Sequence, residues 1–175
     1  MTVRTFAALT VALVVAACSN GGGPVTTATP VRIDGVGPLK VGMTVADAEK
    51  AAGAKFTVQN NEDLQGECVI ADIAGWPKDV SIMLIKGAIA RFDVQQGVMK
   101  TAEGAGLGST EDEVKKLYAN AKVDVLPHKY TDGHYLEITM LGVSGMQYVF
   151  ETDGSKVTAF RSGRVPEVGF IEGCS

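Results

Sequence analysis

A threonine-headed segment occurs twice, 66 positions apart, and this repetition most narrows the folds open to the chain. Val41-Gly42-Met43-Thr44-Val45-Ala46-Asp47-Ala48-Glu49-Lys50-Ala51 aligns with Leu107-Gly108-Ser109-Thr110-Glu111-Asp112-Glu113-Val114-Lys115-Lys116-Leu117. In each copy a threonine is followed three residues later by an acid, Asp47 or Glu113, which approximates a capping box and places negative charge at a helix N-terminus. The segments therefore predict helices over about 45–52 and 111–120. Gly53 and Asn120 are the C-terminal stops. Val45, Ala48 and Ala52 share one helical face, as do Val114, Leu117 and Tyr118, which is the pattern of faces turned to a core.

Strand signals follow each helix. In the first half they cover 56–58, 67–73, 81–85 and 88–94, and Lys86-Gly87 between the last two predicts a tight turn. In the second half 123–130 and 134–141 flank Asp132-Gly133, while 146–152 and 155–161 flank Asp153-Gly154. Aspartate followed by glycine supplies the positive φ angles of a type I′ hairpin. The expected fold is α+β: two tandem helix-plus-antiparallel-strand repeats, about 31–97 and 98–163, form one curved sheet with the helices packed on one face. The other sheet face is then open or half covered, and a partner is expected there. Tandem heads of the Gly-Met-Thr kind, followed by an antiparallel meander, resemble the beta-lactamase inhibitory protein and the BamE (SmpA/OmlA) outer-membrane assembly lipoprotein group. The tail from Lys156 through Gly173-Cys174 is similar to that of uncharacterised bacterial lipoproteins. The resemblance spans roughly residues 31–175 and rests on structural motifs. It implies a fold and a protein-docking habit, with no inhibitory or docking residue to carry over.

The front of the chain specifies an address. Residues 6–17 are an uncharged apolar run after Arg4, too short to span a bilayer, which takes about 20 residues, and of the size of a signal-peptide core. Val15-Ala16-Ala17-Cys18 resembles a bacterial lipobox, with small residues before the cysteine and polar Ser19-Asn20 after it. The resemblance implies cleavage after residue 17 and acylation of Cys18. Since one chain anchors only marginally, durable anchoring follows from the two or three chains that such cysteines receive. Residues 18–30 then read as the lipidated cysteine and a flexible tether, because Gly21-Gly22-Gly23-Pro24 and Thr26-Thr27-Ala28-Thr29-Pro30 lack apolar periodicity. A single domain over 31–175 remains, long enough to bury a core without metals. It lies in the cell envelope, facing periplasm or exterior.

Three cysteines are present, and lipid on Cys18 leaves Cys68 and Cys174. Outside the cytosol such a pair predicts a disulfide, which closes about 107 residues and ties the C-terminus to the middle of the domain. The net charge is −4, and no block of like charge marks a nucleic-acid partner.

Catalytic and cofactor chemistry finds little support. If Asp132-Gly133 is a two-residue loop, Tyr130 opposes Tyr135, His128 opposes Glu137, and His134 lies on the other face from His128. That separates the two histidines as metal ligands and leaves His128 with Glu137 as a cross-strand surface contact. The serines lack the Gly-x-Ser-x-Gly pattern, and Gly104-Ala105-Gly106-Leu107-Gly108 lacks the Lys-Ser/Thr of a phosphate loop, so no nucleotide site is expected. Asp47, Glu49, Glu62 and Asp63 have cap and loop settings. No catalytic, cofactor or metal site is assigned. Trp76, Tyr130 and Tyr135 are the candidate partner-binding residues, with both tyrosines on one sheet face. Arg161 and Arg164 are candidates for binding an anionic partner, but read rather as exposed strand-end charges or as ion-pair partners of Glu167. The expected function is a lipid-anchored, non-enzymatic protein-binding or scaffolding module with an envelope protein as partner. The alternative is a small envelope hydrolase acting on peptidoglycan or glycans.

Overall fold

The computed structural model describes residues 24–58 and 62–174. Three two-residue strands open it: Val31–Arg32 (β1), Gly35–Val36 (β2) and Leu39–Lys40 (β3). Helix α1 (Val45–Ala52) precedes β4 (Phe56–Val58), β5 (Val69–Ile73), β6 (Val80–Ile85) and β7 (Ala88–Val94). Helix α2 (Glu111–Leu117) precedes β8 (Ala121–Pro127), β9 (His134–Met140), β10 (Met146–Thr152) and β11 (Val157–Arg164). A single 3-10 turn, Glu167–Gly169, follows. The strands form a three-stranded sheet, β1-β2-β3, and an eight-stranded sheet, β4-β5-β6-β7-β11-β10-β9-β8, with every pairing antiparallel.

The molecule is thus mostly β, which corrects the α+β arrangement of two helix-plus-strand repeats. Eleven strands in two antiparallel sheets dominate, with two α-helices of eight and seven residues among the described residues. The helices bury too little to form a layer: only Val45 and Ala48 of α1 and Val114 of α2 are buried. The small sheet (Val31, Val36, Leu39) and the chain before α2 (Met99, Ala105) help fill the core. The repeated heads do act as helix starts. Thr44 Oγ1 accepts from Asp47 N at 3.2 Å, and at Thr110 the box is reciprocal, with Thr110 N donating to Glu113 Oε2 at 2.7 Å. The second helix ends at Leu117, three residues before the expected stop, and Tyr118 is its C-terminal cap.

The core lies on one face of the large sheet. Val69, Ala71 and Ile73 of β5, Val80, Ile82 and Leu84 of β6, and Phe92 and Val94 of β7 meet Phe160 of β11, Tyr148 and Phe150 of β10, and Leu136 and Ile138 of β9. The alternation of period two in each strand produces this one-sided stripe. Phe150 stacks on Phe160 at 5.5 Å between centroids, and Tyr118 tilts against Tyr148 at 5.6 Å. At the β7–β11 seam the backbones pack too closely for a side chain at Gly163, where a Cβ would come within 2.5 Å of Ala90 O.

Turn chemistry decides the hairpins. Lys86 and Gly87 both take positive φ, 51° and 72°, and join Ile85 to its partner Ala88 as a two-residue turn. At Asp132-Gly133 the pairing differs from expectation: Pro127 opposes His134 and Asp124 opposes Glu137, so the loop spans 128–133. Neither Asp132 nor Gly133 takes the positive φ of a type I′ turn, and the loop closes on its own side chains instead, with Tyr130 N donating to His128 Nδ1 at 3.1 Å and Gly133 N to Thr131 Oγ1 at 3.1 Å. Residues 24–30, expected as tether, are folded onto the domain, with Val25 in the core and Thr29 N donating to Thr26 O at 2.9 Å. The leader 1–17, Cys18 and residues 19–23 lie outside the described residues.

Candidate functional site: a strapped sheet face

The second face of the large sheet carries polar residues at its centre. Arg91 and Asp93 on β7 alternate with core-facing Phe92, and Arg161 on β11 and Glu151 on β10 lie beside them. The side chains of Arg91, Asp93 and Arg161 are nevertheless buried and that of Glu151 half-buried, because the chain after β11 turns back across this face and Cys174 is disulfide-bonded to Cys68, just before β5. We call residues 165–174 the strap.

Buried arginines hold the strap by its backbone. Arg91 Nη1 donates to Glu167 O at 2.9 Å and to Phe170 O at 2.6 Å, and Arg161 Nε donates to Val168 O at 2.7 Å. Each guanidinium is charge-balanced from the sheet: Arg91 Nε lies 2.9 Å from Asp93 Oδ2, with 3% and 5% of the two side chains exposed, and Arg161 Nη1 lies 2.5 Å from Glu151 Oε1. Desolvation raises Asp93 above the usual carboxylate range, against the pull of Arg91 and then Arg161. Arg161 Nη2, Ser162 Oγ and Glu167 Oε2 are buried without a hydrogen-bond partner among the described residues. Val168 fixes the far side of the strap in a small apolar cluster with Tyr135 and Val149.

Beside the strap a groove of about 1010 Å³ runs over β5, β6, β7, β11 and β10. Its lining holds five carboxylates, Asp72, Asp79, Asp93, Glu151 and Glu172, against three cations, Lys78, Arg91 and Arg161. Arg91 and Arg161 are engaged with Asp93 and Glu151, Lys78 lies 2.8 Å from Asp72, and Glu172 takes Lys129 at 2.5 Å, so most of the lining charge is paired and Asp79 is the further carboxylate. Asp79 Oδ2 accepts from Val98 N at 2.8 Å, which ties the loop after β7 to its rim. Ile70 and Ile171, each 37% exposed, add apolar flanks.

The expected site residues scatter over the molecule. Trp76 is half-buried against the core and lines a separate cavity of about 260 Å³ with Pro24, Val25 and Pro38. Tyr135 is buried beneath the strap, its ring stacked on His128 at 4.5 Å. Tyr130 is 61% exposed in the loop after β8, where its hydroxyl donates to Glu172 and Lys129 Nζ sits 5.0 Å above its ring. The two tyrosines therefore do not share a sheet face, and the longer loop is the reason. His128 faces Glu151, 3.8 Å away, and not Glu137. Arg161 is buried, so it is no exposed strand-end charge, and Arg164 pairs with Glu167 at 2.7 Å. His134 Nδ1 lies 2.7 Å from Glu111 Oε1, on the other side of the sheet. No cluster of three or more His, Cys, Asp or Glu among the described residues could hold a metal ion.

The network of Arg91, Asp93 and Glu151 was missed in the sequence. Its signal was present: two charges of opposite sign two positions apart, Arg91 and Asp93, inside an otherwise apolar strand mark a covered polar face.

No family model and no curated protein sequence matches this chain. Among solved structures it is similar to the uncharacterized protein YfeY from Escherichia coli, at 18% identity and a TM-score of 0.46, over 78% of this chain and all of that one. A likeness of that size carries no inference about activity.

Proposed function

We propose that this chain is a lipid-anchored extracytoplasmic module that binds an envelope protein in the groove beside the strap, with acylated Cys18 holding it to the bilayer. The observation that carries the reading is the groove itself: an apolar-flanked trough, lined by paired charges and the carboxylate of Asp79, over a sheet face that the strap leaves half covered. A basic segment bearing an apolar side chain has the matching chemistry, because charge complementarity steers the encounter and burial of the apolar group at about 25 cal/mol per Å² supplies affinity. The threonine heads' resemblance to the beta-lactamase inhibitory protein and BamE group, whose members dock other proteins, points the same way. A disulfide between Cys68 and Cys174 suits an oxidising compartment.

The test is a photocrosslinking amino acid at Ile70 or Ile171 in living cells, with Lys50 on the exposed side of α1 as control. The expected result is a discrete adduct with an envelope protein at both groove positions and none at Lys50, weakened when Asp79 is changed to Lys. Adducts equal at all three positions overturn the groove. Metabolic palmitate label in the wild type and none in Cys18→Ala is expected; equal label in both overturns the anchor.

A further inference from the structure

We propose that the free edge of the large sheet, strand β8, pairs antiparallel with β8 of a second copy of this chain, with the two-fold axis at Val123.

Among the described residues no strand pairs with the outer side of β8, which ends the eight-stranded sheet with seven residues. The opposite edge, β4, has three. A long bare edge is a template for another strand. The direction of its backbone groups follows from register. His128 N donates to Gly133 O at 2.9 Å, and the same pairing continues through Pro127 with His134 to Ala121 with Met140. By the period of two, Leu126, Asp124 and Lys122 turn their backbone groups toward β9, and Pro127, Val125, Val123 and Ala121 turn theirs outward. Pro127 has no N–H, and Ala121 N already donates to Tyr118 O at 2.9 Å. The outer edge therefore offers the N–H groups of Val123 and Val125, a short central stretch.

Side chains select the occupant. Lys122 and Asp124 flank Val123 with opposite sign, are partly exposed and lie 2.6 Å apart. Charged residues guard an edge when like meets like; here a two-fold axis at Val123 sets Lys122 of each copy opposite Asp124 of the other. Axes at Lys122 or Asp124 would oppose like charges. An axis at Val125 would set the N–H-less Pro127 against Val123. With the axis at Val123, Val123 exchanges both backbone bonds with its counterpart, and Val125 N reaches Ala121 O across the interface, twice by symmetry. Val125 of one copy, 45% exposed, then lies opposite Ala121 of the other. The edge is thus self-complementary in hydrogen bonding and charge, as a two-fold interface requires.

The test uses the full chain in its native membrane with Val123→Cys. At a hydrogen-bonded antiparallel pair the Cα atoms lie about 5.5 Å apart, within disulfide reach. Mild oxidation is expected to give a covalent dimer of this chain, and Lys50→Cys none. Adding Asp124→Lys should cut the dimer about tenfold by replacing two attractive pairs with repulsive ones, and adding Lys122→Asp to that should restore it. Failure of Val123→Cys to crosslink in folded protein, indifference to the charge reversal, or an adduct with a different protein overturns the proposal. If Val123→Cys does not fold, the native mass of the detergent-extracted chain decides: a dimer that Asp124→Lys dissociates supports it, and a monomeric wild type overturns it.

Discussion

Two buried arginines explain why a polar stretch of sheet is closed to solvent. A guanidinium carries five donors in a fixed fork and stays charged, so burial demands a carboxylate and several further acceptors at once. Asp93 supplies the charge for Arg91, and the carbonyls of Glu167 and Phe170 supply acceptors that a strand partner does not. Removing one member of such a pair costs more than the pair is worth, because the other charge stays buried. Asp93→Ala should therefore destabilise the domain by about 3–5 kcal/mol in urea unfolding. Joint replacement of Arg91 by Met and Asp93 by Leu should recover only part, since the strap carbonyls then lose their donors. A double variant as stable as wild type would show that the arginine does not hold the strap.

At the scale of elements, the short helices are fixed at their ends more than along their faces. Glu111, the first residue of α2, reaches over the sheet edge to His134 of β9 and to Thr152 Oγ1 of β10, each at 2.7 Å, while Lys115 lies 3.4 Å away. Burial pushes the Glu111 carboxyl up, but hydrogen bonds from His134, Thr152 and Lys115 outweigh it and hold the group below its ordinary value of 4.5. A depressed folded-state pKa contributes stability that is fully present above 4.5 and lost as pH falls through the folded value. Glu111→Gln should cost about 1–3 kcal/mol near neutral pH. The gap to wild type should close progressively in urea titrations below pH 4.5, and a gap that stays constant into acid would refute the linkage. These contacts join residues 23 and 41 positions apart, so no local pattern announces them. What was legible was local: the threonine caps, the Lys86-Gly87 turn and the period-two strands. The length of α2 and the loop 128–133 were not: Tyr118 leaves the helix as its cap with its hydroxyl held by Thr101 and Glu103, 17 and 15 positions away, and Gly133 donates to Thr131 Oγ1 without the positive φ of a type I′ turn.

At the scale of the whole molecule, the predominance of β-structure follows from a core stripe that strands supply almost unaided. Sequence pattern identified most strands, yet the helical heads suggested a layer that eight and seven residues cannot make. The same pattern gave no sight of the strap, whose residues 165–174 have no periodicity and acquire position through Arg91, Arg161, Val168 and the disulfide together. Of these ties, the disulfide joins positions 106 apart. In the chain-entropy model, a loop of that length lowers the freedom of the unfolded chain by an amount worth nearly 5 kcal/mol. The remaining ties act in the folded state alone. The two contributions are separable: Cys68→Ser with Cys174→Ser should lower unfolding free energy by about 2–5 kcal/mol in urea. The amides of 170–174 should then exchange faster, while the arginine-held turn at 167–169 stays protected. Hydrogen exchange that accelerates equally across 165–174 would mean that the bridge alone positions the strap and that the buried guanidiniums merely fill space beneath it.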